Sequence, residues 1–403
     1  MRRDKDVLVV HHTTKRSIGN YTERGDSSFK LEESNFSVLD EVDVVADALK
    51  ELGLGYRVEG VEEISQLRDV LNRSSEKVVF NLIEDLNGDA LDFCYVPAVC
   101  KAYGKACTGG DTASLLLAQD KWRTKAVLRA ANLPTPDGII VPVGGKIRSS
   151  KLIPGPYIVK PVSCDASEGI DVKSVVDLPG AALNRAVERV HKELNQPAIV
   201  EQFIRDRELN VSLLERNGKV EVLPIAEIDF SAFGKDYPHI VDYSAKWLCD
   251  SFAYKNTPCI VPTRLADKVA KLVRAHALGA WHVLGCKDFA RVDFRLDSKD
   301  RIFILEVNPN PDISPDAGFA AALAAGGISF AEFVKILVDS ARSSLYKDYP
   351  SNSLRRIKIN DRKTTAKDKY SLHVSQGSPA NLVDSKRDGC LSSRRTNSGG
   401  RST

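Results

Sequence analysis

Two neighbouring segments with alternating polar and apolar side chains constrain the fold of this chain most strongly. They are Asp288–Arg295 and Ile304–Asn308, and a polar turn at Asp297–Asp300 lies between them. A period of two is typical of strands that bury one face, and a short turn between two such strands predicts a β-hairpin. The last third of the chain should therefore contain an antiparallel strand pair with one polar face.

The polar face of this hairpin is a candidate metal and phosphate site. Arg291 and Asp293 share a strand face, as do Glu306 and Asn308, and a turn centred near Lys299 puts Asp293 about opposite Glu306. Two carboxylates and an amide oxygen suit Mg²⁺ bound with phosphate, and the arginine could clamp a transferring phosphoryl group. Alternating charges also fit an ordinary solvated hairpin, so both interpretations stay open here.

The composition is that of a globular protein. The chain has 403 residues, of which 43% are hydrophobic, and this length suggests two or three domains. No apolar run approaches the ~18 residues of a membrane span, and the N-terminal apolar run is too short for a signal peptide. We therefore expect a cytoplasmic protein without a membrane partner. The eight scattered cysteines form neither a disulfide framework nor a zinc pattern.

The charge is unevenly distributed along the chain. Residues 343–403 contain 13 Lys and Arg but 5 Asp and Glu, which leaves 44 basic and 49 acidic residues in the remainder. The final segment is rich in Ser, Thr, Gly and Asn and lacks a periodic apolar pattern, so we predict a basic disordered tail. The acidic body argues against a nucleic-acid partner.

Strands and helices alternate in the first part of the chain, which is typical of a doubly wound parallel layer. Neither a G-x-G-x-x-G helix opening nor a Walker P-loop is present in the sequence. The predicted strands are Asp6–Val10, Lys77–Leu82, Gly138–Val141, Tyr157–Val159, Ala198–Glu201, Leu209–Leu214, Lys219–Phe230, Cys286–Leu296 and Arg301–Val307. The predicted helices are Val38–Gly53, Ala90–Tyr103, Asp120–Ala131, Pro179–Leu194, Arg264–Leu284 and Ser329–Ala341.

Three weaker motifs precede the hairpin. Lys160 ends a strand and is followed by a Ser- and Gly-containing loop to Gly169, an arrangement that can bind phosphate. Lys121 opens a predicted helix, and the segment Glu201–Ile204 follows another strand, where it could read an adenine edge while Glu208 binds a ribose hydroxyl. Taken singly, these motifs are more typical of surface lysines and ordinary strand ends than of a nucleotide site.

The order and spacing of these motifs resemble the ATP-grasp ligases, and most closely the D-alanine–D-alanine ligase branch. Further likeness lies in Cys107–Gly110, Tyr243–Lys246 and Gly327–Phe330, and the resemblance covers about residues 6–341. It implies an ATP-grasp fold, with α/β and α+β parts and an N-terminal doubly wound parallel α/β domain. The implied domains are 1–115 (N-terminal α/β), 116–215 (central lid), 216–342 (C-terminal Mg²⁺ and phosphate subdomain) and 343–403 (tail).

The resemblance also implies an activity and a site. The activity is that of an ATP-dependent, ADP-forming ligase, which makes an acyl phosphate from a small carboxylate that an amine then attacks. The implied roles are Lys121, Lys160, Ser167 and Gly169 for phosphate, Glu201, Gln202, Phe203 and Ile204 for adenine, Glu208 for ribose, Asp293, Glu306 and Asn308 for two Mg²⁺ ions, and Arg291 and Lys246 for catalysis.

The acceptor side departs from the pattern of the D-alanine–D-alanine ligases. Trp247 follows Lys246 where they have Tyr, Asp312 replaces a Gly, Ala317 replaces a Ser that holds a carboxylate, and Ala166 replaces a loop Ser. These departures leave the substrates and their chirality open, including whether D-Ala-D-Ala is made. The alternatives are a non-catalytic ATP-binding or scaffold protein and an ATP-grasp phosphotransferase or carboxylase. A homodimer is compatible with the sequence.

Overall fold

The computed structural model describes residues 6–13, 27–86, 91–164, 167–234 and 237–345. All of them belong to a unit that ends at Tyr349, and a second unit, Pro350–Thr403, lies outside the described residues. The predicted disordered tail was wrong for Ser343 and Ser344, which end a helix that Leu345 caps, and stays a prediction for the residues that are not described. The four domain limits given above also stay predictions.

A four-stranded parallel sheet forms the N-terminal part. Its strand order is β2–β1–β3–β4, with β1 Val7–His12, β2 Tyr56–Val61, β3 Val78–Leu82 and β4 Ala106–Cys107. The helices that accompany it are α1 Ser27–Glu51, α2 Ile64–Asn72 and α3 Val96–Ala102. This confirms the predicted parallel layer, although β2, β4 and α2 were missed. A 3₁₀ turn at Asp92–Tyr95 also precedes α3 where one helix was expected.

Helix α1 packs against this sheet because its apolar residues recur at helical spacing. Val38, Val42, Val45 and Leu49 are buried in one cluster with the strands and with the last helix of the described chain. The chain leaves the helix through Gly53, whose φ of +69° is a conformation that favours glycine. The position of this helix end was predicted from the sequence.

A second, antiparallel sheet follows two helices, α4 Thr112–Gln119 and α5 Lys121–Ala130. Its strand order is β5–β8–β6–β7, and helix α6 Ala181–Leu194 packs on it. The strands are β5 Gly138–Val141, β6 Tyr157–Pro161, β7 Val175–Val176 and β8 Ala198–Gln202. The predicted strands of this region are confirmed, and the short strand β7 was missed.

A third, larger sheet carries the predicted hairpin. Its strand order is β12–β11–β9–β13–β14, and β10 also pairs with β9. The strands are β9 Arg207–Arg216, β10 Lys219–Val222, β11 Ala226–Ile228, β12 Cys259–Ile260, β13 Phe289–Leu296 and β14 Ile302–Asn308. The single strand predicted over Lys219–Phe230 was wrong, because the chain breaks around Pro224, which has no N–H to donate to a ladder.

Five helices complete the described chain: α7 Tyr243–Trp247, α8 Phe252–Lys255, α9 Asp267–Leu284, α10 Gly318–Ala325 and α11 Phe330–Ser344. Helix α9 covers the apolar face of the third sheet, and its Trp281 belongs to the same buried cluster as Val292 and Phe294. The opposite, polar face of β13 is thereby left for a site. Within the described ranges no single helix could span a membrane by length and hydropathy, and α10 and α11 pass that test only as a pair bent by 101°.

Candidate functional site

The register of the hairpin brings the predicted polar residues together. Asp293 lies opposite Glu306, and Arg291 lies opposite Asn308. On its other side β13 pairs with β9, which places Asn210 beside Asp293. The predicted register is confirmed, and the face gains an amide that the sequence analysis had not assigned.

The carboxylate of Asp293 is held from three sides. Arg291 donates from Nε to Oδ1 (2.8 Å) and from Nη2 to Oδ2 (3.0 Å). The amides of Asn210 (2.8 Å) and Asn308 (3.3 Å) donate to the same two oxygens. Although burial opposes it, the neighbouring Asp293 raises the pKa of Arg291 above its ordinary value. The planar guanidinium is thus permanently charged and fixed in orientation.

Glu306 is surrounded by cations. Burial alone would raise the pKa of this carboxyl, but the positive charges around it lower the pKa to about 2. Lys121 Nζ lies 3.8 Å from Glu306 Oε2. The cations that lower this pKa are Lys121, Lys246, Lys160 and Arg291. Four positive charges thus lie around a hairpin face that carries two carboxylates. This excess of positive charge would attract a polyanion.

A buried ion triad lies next to these cations. The Glu201 carboxylate is 2.9 Å from Lys160 Nζ and 3.1 Å from Lys125 Nζ, and the Glu201 and Lys125 side chains are 1% and 2% exposed. Lys125 also donates to the carbonyl of Leu305 (2.8 Å). Burial would raise the pKa of Glu201, yet the two lysines lower it. The Glu201 side chain therefore contacts lysines, and the predicted role of this segment at the adenine, through its backbone groups, stays a prediction.

Lys125 was missed in the sequence analysis. It lies four residues after Lys121 in α5, so both lysines face the same side of this helix. Burial lowers the pKa of Lys125, and Glu201 partly opposes this effect. Helical spacing from Lys121 was the one signal that could have identified it.

The predicted phosphate loop is anchored at both ends. Lys121 Nζ donates to the carbonyl of Cys164, and Ser167 Oγ donates to the carbonyl of Val241 (2.7 Å). Gly169 has φ +72°, and a Cβ there would lie 2.5 Å from Leu194 Cδ1, so only glycine fits without a shift. Ala166, a predicted departure, lies outside the described residues.

The predicted nucleoside residues run from the last two residues of β8 to the start of β9. The N–H groups of Gln202 and Phe203 donate to the carbonyls of Asp137 and Pro156, each at 2.8 Å. Phe203 and Ile204 are buried at 5% exposure. Glu208, at the start of β9, forms an ion pair with Arg295 (2.6 Å), a residue to which the sequence analysis gave no role.

The acceptor-side departures have defined structural positions. Asp312 Oδ1 accepts from the N–H (2.8 Å) and the hydroxyl (2.6 Å) of Ser314, so it caps a turn. Its charge nevertheless raises the pKa of Arg291 and, after burial and Glu84, that of Glu41. Ala317 is the N-cap of α10 and makes no side-chain cap bond.

Comparisons with known proteins assign the fold and the family. A family model described as the D-ala D-ala ligase C-terminus matches residues 148–339. D-alanine–D-alanine ligase of Haemophilus ducreyi is 31% identical over 299 residues, which cover 73% of this chain and 90% of that protein. The chain belongs to the D-alanine–D-alanine ligase family. The uncharacterised protein y4sG of Sinorhizobium fredii is 33% identical over 273 residues, covering 68% of this chain and 76% of that protein.

Solved structures of D-alanine–D-alanine ligase share this fold. The crystal structure from Bacillus anthracis matches with a TM-score of 0.62 at 16% identity, over 85% of this chain and 98% of that chain, and its complex with ATP matches equally. The predicted ATP-grasp fold is confirmed. As a member of the D-alanine–D-alanine ligase family, the protein is an ATP-dependent ligase that joins a carboxylate to an amine.

Proposed function

We propose that this ligase works through an acyl phosphate at the polar face of the β13–β14 hairpin. The substrate carboxylate would attack the γ-phosphorus of ATP, and ADP would leave. The amine would then attack the activated carbonyl carbon, lose a proton and expel phosphate. The convergence of Lys121, Lys160, Lys246 and Arg291 around Glu306 carries this proposal, because phosphoryl transfer is catalysed chiefly by positioning and by neutralising charge.

The individual roles follow from the contacts of each side chain. Lys160, fixed by Glu201, and Lys121 would bind the phosphates, with the loop through Ser167 and Gly169 covering them. Arg291, oriented by Asp293, would stabilise the transferred phosphoryl group. Lys246 is close enough to lower the pKa of Glu306. From α7 it would also stabilise the transferred phosphoryl group.

The donor set of the hairpin fits magnesium. Asp293, Glu306 and Asn308 supply two carboxylates and an amide oxygen, and the low pKa of Glu306 keeps this group ionised. Asp293 already accepts four hydrogen bonds, so it would exchange some of them for a cation. When bound, Mg²⁺ would neutralise phosphate charge. Two ions, a cytoplasmic location and a homodimer stay our predictions.

The substrates belong to the class of small amino acids. The names of the relatives make D-alanine the first compound to test, whereas Asp312 and Ala317 favour an acceptor without a free carboxylate. A negative Asp312 near the acceptor would repel such a carboxylate. We therefore expect a D-amino acid donor and weak use of D-alanine as acceptor.

A phosphate-release screen tests the function. Purified protein, MgATP and pairs of amino acids or dipeptides should release ADP and phosphate only when both a carboxylate and an amine are supplied. Arg291→Lys should abolish this release, because lysine lacks the planar fork. Arg301→Lys, on the exposed turn of the same hairpin, is the matched control and should keep it. Phosphate release that needs no amine, or an active Arg291→Lys variant, would contradict the proposal.

A further inference from the structure

Arg295 is a buried arginine at the nucleoside end of the hairpin face. It follows Arg291 and Asp293 along β13 at the strand period, so the three side chains project from the same face. Only 3% of Arg295 is exposed. Buried arginines are rare unless their donors are satisfied, which makes the partners of this side chain informative.

The guanidinium contacts three separate segments. On β9, it forms an ion pair with Glu208 at 2.6 Å, and the two residues lie opposite each other in the sheet. In the connection from β8 to β9, its Nη1 donates to the carbonyls of Ile204 (3.3 Å) and Arg205 (3.0 Å). Its Nη2 donates to the carbonyl of His239 in the segment before α7.

Two aromatic rings enclose the same group. The guanidinium carbon lies 5.6 Å from the centroid of Phe203 and 5.5 Å from that of Phe230. His239 stacks on Phe230 at 5.3 Å with an interplanar angle of 11°. Rings at these distances attract the cation and exclude water from it, so the pair with Glu208 is held in a fixed geometry.

The segment that Arg295 holds at His239 also anchors the phosphate loop. The carbonyl of Val241 accepts a hydrogen bond from the hydroxyl of Ser167 (2.7 Å), and the N–H of Tyr243 donates to the carbonyl of Ile170 (3.1 Å). One guanidinium thus connects the proposed ribose ligand, the proposed adenine segment and the support of the phosphate loop.

We propose that Arg295 is a positioning residue that sets the affinity of this ligase for the ribose and adenine parts of ATP. It orients Glu208 without saturating it, because an ionised carboxylate accepts about four hydrogen bonds. It also fixes the backbone of Ile204 and Arg205 beside the base. This inference rests on the proposed nucleotide site, in which Glu208 binds the ribose.

The test measures nucleotide binding directly, so it does not require the substrates. MgATP and its 2′-deoxy and 3′-deoxy analogues are each titrated into the full-length protein, and binding is measured by calorimetry. The wild type should bind ATP more tightly than at least one deoxy analogue, since a hydrogen bond to a charged group is worth about tenfold or more in affinity. Arg295→Met keeps the length of the side chain and its apolar packing. It should weaken ATP binding by about tenfold or more, and it should bring the ratio of the ATP affinity to the deoxy-ATP affinity towards one.

Three further single variants separate positioning from general stability. Arg207→Met is the matched control, because Arg207 on β9 makes a bidentate pair with Glu227 (2.7 and 2.6 Å) away from Glu208; it should lower the melting temperature without changing the ratio. Arg295→Lys keeps the charge but not the fork, and decides the matter if the Met variant does not fold. In Glu208→Gln the further change Arg295→Met should have little additional effect on the ratio of the ATP and deoxy-ATP affinities, while ATP itself should still bind more weakly because the backbone of Ile204 and Arg205 is no longer held.

The outcomes distinguish the two proposals. If the wild type does not bind ATP, the proposed function fails, and this inference fails with it. If the wild type binds ATP but does not discriminate against either deoxy analogue, or if a folded Arg295 variant keeps both affinity and ratio, the positioning role alone is overturned. The same holds if Arg207→Met changes the ratio as much as Arg295→Met.

Discussion

Lys125 and Glu201 form a buried ion pair, 3.1 Å apart, that connects helix α5 with strand β8 of the second sheet. Through the carbonyl of Leu305, the same lysine also reaches β14 of the third sheet. Three elements around the proposed phosphate site thus meet at one ammonium group. Lys160 shares the carboxylate, so the position of a proposed phosphate ligand depends on this pair.

Replacing Lys125 should destabilise the protein strongly. In Lys125→Met the Glu201 carboxylate keeps its contact with Lys160 but loses one of the two positive charges that compensate it. Breaking a buried ion pair typically costs about 3 kcal/mol or more. Urea unfolding should reveal this loss. The control is Lys192→Met, which breaks an exposed pair with Glu188 and should cost less than about 0.5 kcal/mol. Equal losses in the two variants would show that the triad is not a structural centre.

Glu306→Gln should abolish turnover while ATP still binds. Glutamine keeps the volume but removes the charge that would bind a cation, and metal neutralisation supplies several kcal/mol, so we expect a decrease in kcat of ~100-fold or more. The four cations around the position remain, so the phosphates of ATP should still be attracted. ADP release and calorimetric ATP titration measure the two effects. A folded Glu306→Gln variant with full activity would remove this residue from the site.

The hairpin shows how far the sequence could predict the site. A period of two and one short turn were enough to place Asp293 opposite Glu306, because strand geometry is local and regular. The triad with Glu201 was not predictable in the same way, since Lys125, Lys160 and Glu201 come from three elements whose packing no local pattern encodes. The part of helix α1 from Val38 onwards was predicted from its apolar spacing, whereas its start at Ser27 was missed. Strand β2, which is only partly buried, has too few apolar residues to be recognised.

Motif resemblance had a similar limit on the nucleoside side. It assigned Glu201 and Glu208 to ATP, but it could not indicate that each already has a basic partner inside the protein. The ion pair of Glu208 with Arg295 depends on the register of β9 against β13. That register is a long-range property of the chain, because 72 residues separate the end of β9 from the start of β13.

Histidine 12 should make stability fall on mild acidification. His12 lies at the end of β1, and burial, followed by the charge of His11, lowers its pKa from 6.5 to about 4. The unfolded chain therefore takes up a proton near pH 6.5 while the folded protein does not. Stability is full above pH 6.5 and falls as the pH drops to 4, by up to about 3 kcal/mol from this group.

The difference between two unfolding series isolates this contribution. Denaturant unfolding of the wild type and of His12→Gln is measured from pH 7.5 to pH 4. The unfolding free energy of the wild type minus that of His12→Gln should decrease steadily below pH 6.5, because glutamine does not titrate. A difference that stays constant over this range would mean that His12 titrates normally in the folded protein.

Ala317 offers a test of acceptor specificity with an internal control. Ala317 is the N-cap of α10 and Ala266 is the N-cap of α9, and neither makes a side-chain cap bond. Serine at either position should stabilise its helix by about 1 kcal/mol, because its hydroxyl can accept from a free N–H of the first turn. Ala317→Ser should in addition increase the use of D-alanine as acceptor, measured as dipeptide formed, whereas Ala266→Ser should leave that use unchanged. Efficient D-alanyl-D-alanine synthesis by the unaltered chain would show instead that a serine at position 317 is not needed to hold the acceptor carboxylate.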